Sequence, residues 1–250
     1  MTDILAEILD NKRAEVERAK SARSLAALKR LPGYALPPRN FFGAVAAPRR
    51  GAPNLIAEIK RRSPSAGVIR PDFDPVATAR QYAVGGAHAL SVLTDEKYFD
   101  GRLEYIMQVK DAVGLPVLRK DFIVDEYQVH ESRAAGADAI LLIAAALDED
   151  PLLALTRLAH QLGLCVLLEV HERGELLHTL HALDEDDRKL MLLGINNRNL
   201  KIQKTDLATT ERLAQLVPPG LPIVSESGVK TRQDVARMHA AGGRALLIGE

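Results

Sequence analysis

LIAEIKRRSPS, residues 55–65, begins as an apolar strand and ends as a basic, hydroxyl-rich loop. Successive side chains of a strand point to opposite faces, so Ile56, Glu58 and Lys60 share one side. If the other side packs beneath helices, this carboxylate and this ammonium face a sheet or barrel interior, where charges are costly unless they are paired or used. A structural ion pair and an active-site pair are equally good interpretations of this segment alone.

The sequence after Asn54 predicts an α/β fold with a parallel sheet. Eight short aliphatic runs alternate with amphipathic stretches of about ten to fifteen residues, as in consecutive βα units. Gly-x-Gly-x-x-Gly follows none of these runs, which argues against a dinucleotide-binding fold. Eight units at a length near the usual ~250 residues favour a (β/α)8 TIM barrel. The runs are 55–60, 89–94, 116–120, 139–143, 166–170, 191–196, 222–226 and 245–249.

Residues 1–53 are interpreted as an N-terminal extension of a single domain whose barrel covers residues 54–250. Helical spacing of apolar residues predicts a first helix over about residues 3–20 and a short one after Ser24. Pro-Gly and Pro-Pro pairs then interrupt the pattern, ahead of the aromatic segment 41–45. We expect this aromatic segment to cap one end of the barrel.

The sequence stops at Gly249-Glu250, where the eighth strand of a barrel leads into an eighth helix. We therefore expect that the eighth helix is absent and that the chain is cut short. Its absence would leave the outer faces of strands eight and one uncovered, and apolar burial contributes about 25 cal/mol per Å². The alternative is that the N-terminal extension covers this gap.

The amino-acid composition limits which binding partners and which cellular compartment we expect. Lys and Arg number 33 and Asp and Glu number 33, so no global basic field attracts nucleic acid or a membrane surface. The longest uncharged apolar run, residues 139–147, is too short to span a bilayer, and the first twenty residues lack an apolar signal core. The single cysteine, Cys165, fits a reducing compartment and is better explained as a small buried hydrophobe than as a nucleophile. We expect a cytoplasmic protein.

Polar residues stand at the ends of most predicted strands. Barrel enzymes build their active sites from these carboxyl ends, so such residues should meet at one mouth. Two lysines and three carboxylates converging there indicate acid-base chemistry. The strand-end residues are Glu58 and Lys60, Arg119-Lys120-Asp121, Glu169, Asn196-Asn197-Arg198, Ser225-Glu226-Ser227-Gly228 and Gly249-Glu250.

Small and hydroxyl residues at the same mouth predict a phosphate site. Ser63, Ser65 and Gly67 follow strand one, Gly228 follows strand seven and Gly249 follows strand eight. Taken alone, each glycine is explained equally well by a turn that requires glycine. Their shared location matches the usual phosphate position of barrels and favours a phosphorylated substrate.

Five motifs occur in order along the chain: AEIKRRSPS (57–65), LTDEKYFDG (93–101), LRKDFI (118–123), GINNRNL (194–200) and SESG (225–228). Together they resemble the indole-3-glycerol phosphate synthase family, and the resemblance extends to Phe41-Phe42 in the N-terminal extension. It implies closure of 1-(2-carboxyphenylamino)-1-deoxyribulose 5-phosphate to an indole ring, with loss of carbon dioxide and water, in tryptophan biosynthesis. It implies no metal and no organic cofactor.

The resemblance also implies roles for the strand-end groups. Attack of the aromatic carbon on the ribulose carbonyl develops negative charge on oxygen, which an ammonium can protonate. Lys120 is the first candidate for this general acid, and Lys60 would bind the substrate carboxylate; the two lysines could exchange roles between steps. Glu169 is the candidate base, and Glu58 would stabilise the developing cation or take part in dehydration.

The remaining implied residues position or bind the substrate. Asn196 would hold Glu58 or a substrate hydroxyl. Beside phosphate, the carboxylate of Glu250 would be repulsive, so only its backbone N–H is carried over. The substrate-binding set is Ser63, Phe122, Arg198, Glu226, Ser227, Gly228, Gly249 and Glu250. Other enzymes of the tryptophan pathway are candidate partners.

Four alternatives compete with this interpretation. Phosphoribosylanthranilate isomerase is a phosphate-binding barrel, but its acid-base pair includes a cysteine and Cys165 lies at the wrong end of its strand. A Schiff-base aldolase would need a desolvated Lys120 with a lowered pKa. A metal hydrolase would need ligands, and His178 and His181 lie on a helix with no strand-end carboxylate beside them. A catalytically silent scaffold would show no turnover.

Overall fold

The structure is a computed structural model that describes residues 4–49, 51–64, 66–199 and 204–249. Eight parallel strands close into a barrel, which confirms the predicted (β/α)8 TIM barrel. The first strand pairs with both the second and the eighth, and this closes the ring. The barrel strands are β1 (Asn54–Ile59), β2 (Ala89–Leu93), β3 (Val117–Lys120), β4 (Ala139–Ile143), β5 (Cys165–Val170), β6 (Met191–Asn196), β7 (Ile223–Glu226) and β8 (Gly243–Ile248).

Helices lie ahead of the barrel and between its strands. Four of them, α1 (Ile4–Ala22), α2 (Leu25–Leu28), α3 (Pro32–Ala35) and α4 (Phe41–Ala46), precede β1. Those after β1 are α5 (Pro75–Val84), α6 (Glu96–Phe99), α7 (Tyr105–Ala112), α8 (Glu126–Ala134), α9 (Glu149–Gln161), α10 (Arg173–Ala182), α11 (Ala208–Ala214) and α12 (Arg232–Ala240), with a 3₁₀ turn at Ala144–Ala146. Two short antiparallel strand pairs, which the sequence analysis missed, are Arg62–Ser63 with Gly67–Val68 and Arg198–Asn199 with Lys204–Thr205.

Local sequence determines where several helices begin and end. The Asp74 side chain accepts hydrogen bonds from two backbone amides of α5, and Pro75 occupies the first helical position. Thr231 and Asp234 form a capping box at the start of α12. After α8, Gly136 has a φ of 86°, a left-handed conformation that stops the helix at little steric cost.

Helix α4 of the N-terminal extension closes the lower end of the barrel, where the strands begin. Helix α4 packs against β1, β2, β6 and β8, and Phe41 is 1% exposed among the barrel-interior side chains. Asn54, the first residue of β1, donates hydrogen bonds to the carbonyls of Val45 and Ala47. The aromatic segment therefore caps one end, as the sequence predicts.

Helix α3 forms where Pro32-Gly33 predicts an interruption, because proline is compatible with the first turn of a helix.

Strand alternation sorts the core into an inner and an outer part. Ile56, Leu167 and Val224 belong to the inner cluster, whereas Ala57 and Ile59 pack outward beneath helices. Cys165 lies in the inner cluster at the start of β5, and burial raises the pKa of its thiol. This environment fits a structural cysteine, as predicted.

The seam between β8 and β1 is better covered than expected. Leu246 on β8 and Ile59 on β1 are buried, while Leu55 and Ile248 remain half-buried. The described residues continue only to Gly249 after β8.

Within the described ranges, no helix is long and apolar enough to cross a membrane.

Candidate active site

Side chains alternate between the two faces of each strand, and those that face inward are apolar in the barrel interior and charged at its upper mouth. Leu118, Leu167 and Val224 face inward in the middle of their strands. Two residues further along each strand, the same face carries Lys120, Glu169 and Glu226. Apolar packing below thus fixes the positions of the polar groups above.

A cavity of about 590 Å³ opens at this mouth, within the usual size range for small-molecule sites. Every described residue of the predicted catalytic and substrate-binding sets lines it, whereas Gly67 of the predicted phosphate loop is exposed and is not among the lining residues. Glu250 and Ser65 lie outside the described residues. The lining residues predicted from the sequence are Glu58, Lys60, Ser63, Lys120, Phe122, Glu169, Asn196, Arg198, Glu226, Ser227, Gly228 and Gly249.

Lys120 occupies the electrostatic centre of the mouth. Its Nζ donates hydrogen bonds to Glu169 Oε2 at 2.9 Å and to Glu226 Oε2 at 2.6 Å, and its side chain is 13% exposed. Burial alone would lower the pKa of Lys120, but attraction to Glu169, Glu226 and Glu58 outweighs burial and raises it. The amine is therefore an ammonium at neutral pH, which is opposite to the state that a Schiff-base lysine needs.

The two carboxylates that share Lys120 have different surroundings. Glu169 Oε1 accepts a hydrogen bond from Asn196 at 3.2 Å and lies 3.2 Å from His171 Nε2. Although burial raises the pKa of Glu169, attraction to Lys120 and His171 brings it well below its ordinary value. Glu226 Oε1 is buried and accepts no hydrogen bond in the described part of the chain, and burial raises the pKa of Glu226 to about 8 despite Lys120. The mouth therefore holds an ionised carboxylate beside one that retains a proton.

Glu58 and Lys60 form a second pair at the rim. Lys60 Nζ donates to Glu58 Oε1 at 2.6 Å. Gly249 leaves room for this pair, because a Cβ there would lie 2.7 Å from Glu58 Oε1. The expected contact between Asn196 and Glu58 is not observed, and Asn196 holds Glu169 instead. Strand β6 is the direct neighbour of β5, whereas β1 lies further around the ring.

The predicted phosphate end has an anion-compatible backbone. Ser227 and Gly228 follow β7 with φ angles of 67° and 85°, and the Asn197 side chain holds this turn by donating to the carbonyls of Glu226 and Ser227. A left-handed serine is costly and is typically found at functional sites. Such turns direct successive backbone N–H groups toward an anion. Ser63, which also lines the cavity, accepts a hydrogen bond from the Ala66 amide.

The sequence analysis missed the contribution of α1 to the cavity. Leu5 and Ile8 of α1 line it, together with a tilted aromatic pair, Phe99 and Phe122, whose ring centroids lie 6.2 Å apart. Lys12 anchors the helix through a buried ion-pair network with Asp95 and Asp121. A signal was present, because Lys12 interrupts the apolar stripe of the predicted first helix.

Neither histidine that the metal-hydrolase alternative would need lies at this site. His178 and His181 are exposed on α10 and are not part of the cavity lining. The histidine that does approach the charged cluster is His171, which the sequence analysis also missed. It stands two residues after Glu169, so the alternation that placed Glu169 inward also predicts its position.

Two of three comparisons with known proteins relate this chain to a family. A family model described as indole-3-glycerol phosphate synthase matches residues 5–250. Proteins of that name from Rhodospirillum rubrum and Azospirillum brasilense are each 51% identical over all of this chain and 94% of their own length. That of Acidithiobacillus ferrooxidans is 49% identical over all of this chain and 93% of its own. A solved structure of N-acetylmannosamine-6-phosphate 2-epimerase from Clostridium perfringens matches with a TM-score of 0.62 at 14% identity, covering 84% of this chain and 90% of the other, and reflects the shared fold alone.

Proposed function

The chain belongs to the indole-3-glycerol phosphate synthase family, and we propose that the charged groups at its barrel mouth act in different steps of the ring closure. The enzyme is a carboxy-lyase of tryptophan biosynthesis. It converts 1-(2-carboxyphenylamino)-1-deoxyribulose 5-phosphate to indole-3-glycerol phosphate, with loss of carbon dioxide and water. The observation that carries the division of roles is the buried Lys120 side chain, whose Nζ lies 2.9 Å from Glu169 Oε2 and 2.6 Å from Glu226 Oε2.

Lys120 is the general acid of the carbon–carbon bond-forming step. As the aromatic carbon attacks the ribulose carbonyl, the carbonyl oxygen gains negative charge that an adjacent ammonium stabilises and then protonates. Two of its three N–H bonds point to Glu169 and Glu226 among the described residues, which leaves one for a substrate oxygen in the cavity. Glu226 orients this ammonium.

Lys60 and Glu58 act at the rim of the cavity. The Lys60 ammonium binds the substrate carboxylate and holds the substrate in the folded conformer that ring closure needs. Its pairing with Glu58 supports this role, since a carboxylate ligand can exchange for the Glu58 oxygen. Glu58 then stabilises the cation that develops after decarboxylation or assists departure of the hydroxyl group.

Glu169 removes the amine proton in the dehydration step. The hydrogen bond from Asn196 and the attraction of Lys120 and His171, which lowers the pKa of Glu169, keep this carboxylate ionised and so free of a proton before the step. The substrate aryl group packs against Phe122. Its phosphate binds the Ser63 hydroxyl and the backbone amides of the Ser227-Gly228 turn.

The other contacts at the phosphate end follow from position in the cavity. Arg198 contributes positive charge beside the turn, and Gly249 allows close approach of the backbone. We also assign the Glu250 backbone N–H to phosphate binding, and this assignment rests on the family resemblance alone.

We also propose that the extension and the barrel act as one domain, that the protein works in the cytoplasm, and that it associates with other enzymes of the tryptophan pathway. The seating of Phe41 in the barrel end supports the first proposal. A formal net charge of +0 and a single cysteine support the second. Gel filtration of the protein mixed with its pathway neighbours tests the third, and co-elution is the expected result.

Turnover of the purified protein tests the proposed function. Incubation with the carboxyphenylamino substrate, in buffer containing a chelator, should produce indole absorbance and fluorescence at a rate proportional to enzyme. Phosphoribosylanthranilate serves as the control substrate and should remain unchanged. Folded protein that yields no indole product would contradict the proposal and favour the silent scaffold.

A further inference from the structure

His171 joins the charged cluster from outside the set of groups assigned so far. It follows β5 directly, and its ring lies between two carboxylates. Nε2 is 3.2 Å from Glu169 Oε1, and Nδ1 is 3.4 Å from Glu175 Oε2. The side chain is only 8% exposed, so these contacts form away from bulk water.

Glu175 fixes His171 through both the ring and the backbone. Its Oε2 also accepts a hydrogen bond from the backbone N–H of His171 at 2.6 Å. Glu175 lies in the first turn of α10, a rigid element adjoining the strand end. The imidazole therefore cannot turn away from Glu169 without breaking contacts to this helix.

The environment favours the doubly protonated ring. A neutral imidazole has one N–H donor and one acceptor nitrogen, whereas both nitrogens here face carboxylates. Burial lowers the pKa of His171, but the contacts with Glu169 and Glu175 outweigh it and raise the pKa to about 10. His171 is thus a fixed cation one contact away from the reacting groups.

This cation distinguishes two otherwise similar carboxylates. Glu169 and Glu226 both accept a hydrogen bond from Lys120, so Lys120 alone gives neither a clear preference for the proton. Glu169 has the additional neighbours His171 and Asn196. Adjacent buried carboxylates resist ionising together, so the one with the extra cation stays ionised.

We propose that His171 is a positioning residue for the ring closure: its imidazolium holds the Glu169 carboxylate in place and directs the proton shared by the two carboxylates to Glu226. This inference rests on the proposed role of Glu169 as the base. In the step concerned, the proton moves from the substrate amine to Glu169, and His171 keeps both of its own protons.

Replacement by glutamine removes the charge of His171 and keeps a polar side chain at this position. The contact between His171 Nε2 and Glu169 Oε1, at 3.2 Å, is one of charge, because Nε2 makes no hydrogen bond among the described residues, and His171→Gln therefore removes the attraction that the inference depends on. We expect kcat to fall about tenfold near pH 6 and clearly less near pH 8, while KM changes less than about twofold. The acid limb of the kcat profile should move to higher pH, because Glu169 loses the neighbour that keeps it ionised. Glu175→Gln should shift this limb in the same direction by a smaller amount.

A matched control is His178→Gln, which removes an exposed histidine from α10, the helix that carries Glu175, and should leave the profile unchanged. The double variant Glu169→Gln/His171→Gln should be no slower than Glu169→Gln alone, because His171 acts through Glu169. An unchanged profile in His171→Gln, or a loss equal at every pH, would overturn the inference.

Two further results keep this test independent of folding and of the base assignment. Nitrogen NMR of the unaltered enzyme near pH 8 should show both His171 nitrogens protonated, and a neutral ring would overturn the inference even if His171→Gln failed to fold. Full turnover by Glu169→Gln would instead overturn the role of Glu169 as base. A large loss in Glu169→Gln, with no effect in His171→Gln, would overturn the inference alone.

Discussion

Gly194 leaves the space that the carboxylate of Glu226 occupies. A Cβ at Gly194 would overlap with Glu226 Oε1, far inside van der Waals contact. Gly194 is paired in register with Val224, two residues before Glu226, so the carboxylate reaches back over β6 at this point. The absence of a side chain on one strand thus permits a buried acid on the next to reach Lys120.

Gly194→Ala should therefore displace the Glu226 carboxylate. We expect kcat to fall at least about tenfold and the free energy of unfolding to decrease by about 1–3 kcal/mol, as for other insertions into a packed interior. Steady-state kinetics and urea unfolding measure both quantities. The control is Gly174→Ala in the first turn of α10, where an added Cβ meets nothing within 4 Å. Wild-type kcat in Gly194→Ala would show that the position of Glu226 is unimportant.

Lys12→Met should loosen α1 from the mouth of the barrel. Lys12 Nζ lies 2.9 Å from both Asp95 Oδ2 and Asp121 Oδ1, and its side chain is 5% exposed. Removing the cation leaves the buried carboxylate of Asp95 without its ion-pair partner among the described residues, while Asp121 keeps Arg119, so we expect a loss of about 3–5 kcal/mol in the free energy of unfolding. Because α1 contributes Leu5 and Ile8 to the cavity, KM should rise as well.

The exposed pair on the same helix provides the control for Lys12. Arg13 lies 2.8 Å from Asp10, but both side chains are well exposed to solvent. Arg13→Met should change the free energy of unfolding by less than about 1 kcal/mol, as is usual for surface ion pairs. Equal effects of the two substitutions, measured by urea unfolding, would contradict a special role for the buried network.

The buried acid should make stability depend on pH. The folded-state pKa of Glu226 is about 8, whereas an unfolded glutamate releases its proton near pH ~4.3. Between these values the folded state binds the extra proton, so its stability is greatest at the acid end and falls as the pH rises, by at most ~1.4 kcal/mol per pH unit.

Comparison of the wild-type enzyme with Glu226→Gln by urea unfolding, between about pH 5 and about pH 6, isolates this contribution, since the other titratable groups are common to both proteins. Glu226→Gln keeps a neutral polar group of the same shape but cannot release a proton. The stability of the wild-type enzyme should therefore fall more steeply with pH than that of Glu226→Gln. Parallel slopes would indicate that Glu226 is ionised in the folded state.

The fold was largely predictable because its signals are local. Each aliphatic run needs helices on one side and an interior on the other, and the Asp74-Pro75 and Gly136 boundaries follow from capping and from left-handed φ. The short helix α6 and the two small strand pairs were missed. They lie in loops where contacts distant in sequence outweigh local propensity.

The site was predictable for residues whose direction follows from the alternation of side chains along a strand. Glu58, Lys120 and Glu226 fall at strand ends and point inward by periodicity alone. Of the two partners predicted for Asn196, Glu58 is not the one it contacts, because the pairing of side chains depends on strand order around the ring, and the substrate hydroxyl stays a prediction. The role of α1 was missed because an N-terminal helix has no fixed position relative to a barrel.

The central claim is that the Lys120 ammonium supplies the acid of the ring closure, and single-turnover kinetics of Lys120→Ala test it most directly. Substrate binding, measured by fluorescence titration, should stay within about tenfold of the wild-type value while the rate of indole formation falls by about 10² or more. The folded state of the variant should be checked by circular dichroism. Indole formation at the wild-type rate by folded Lys120→Ala would contradict the account.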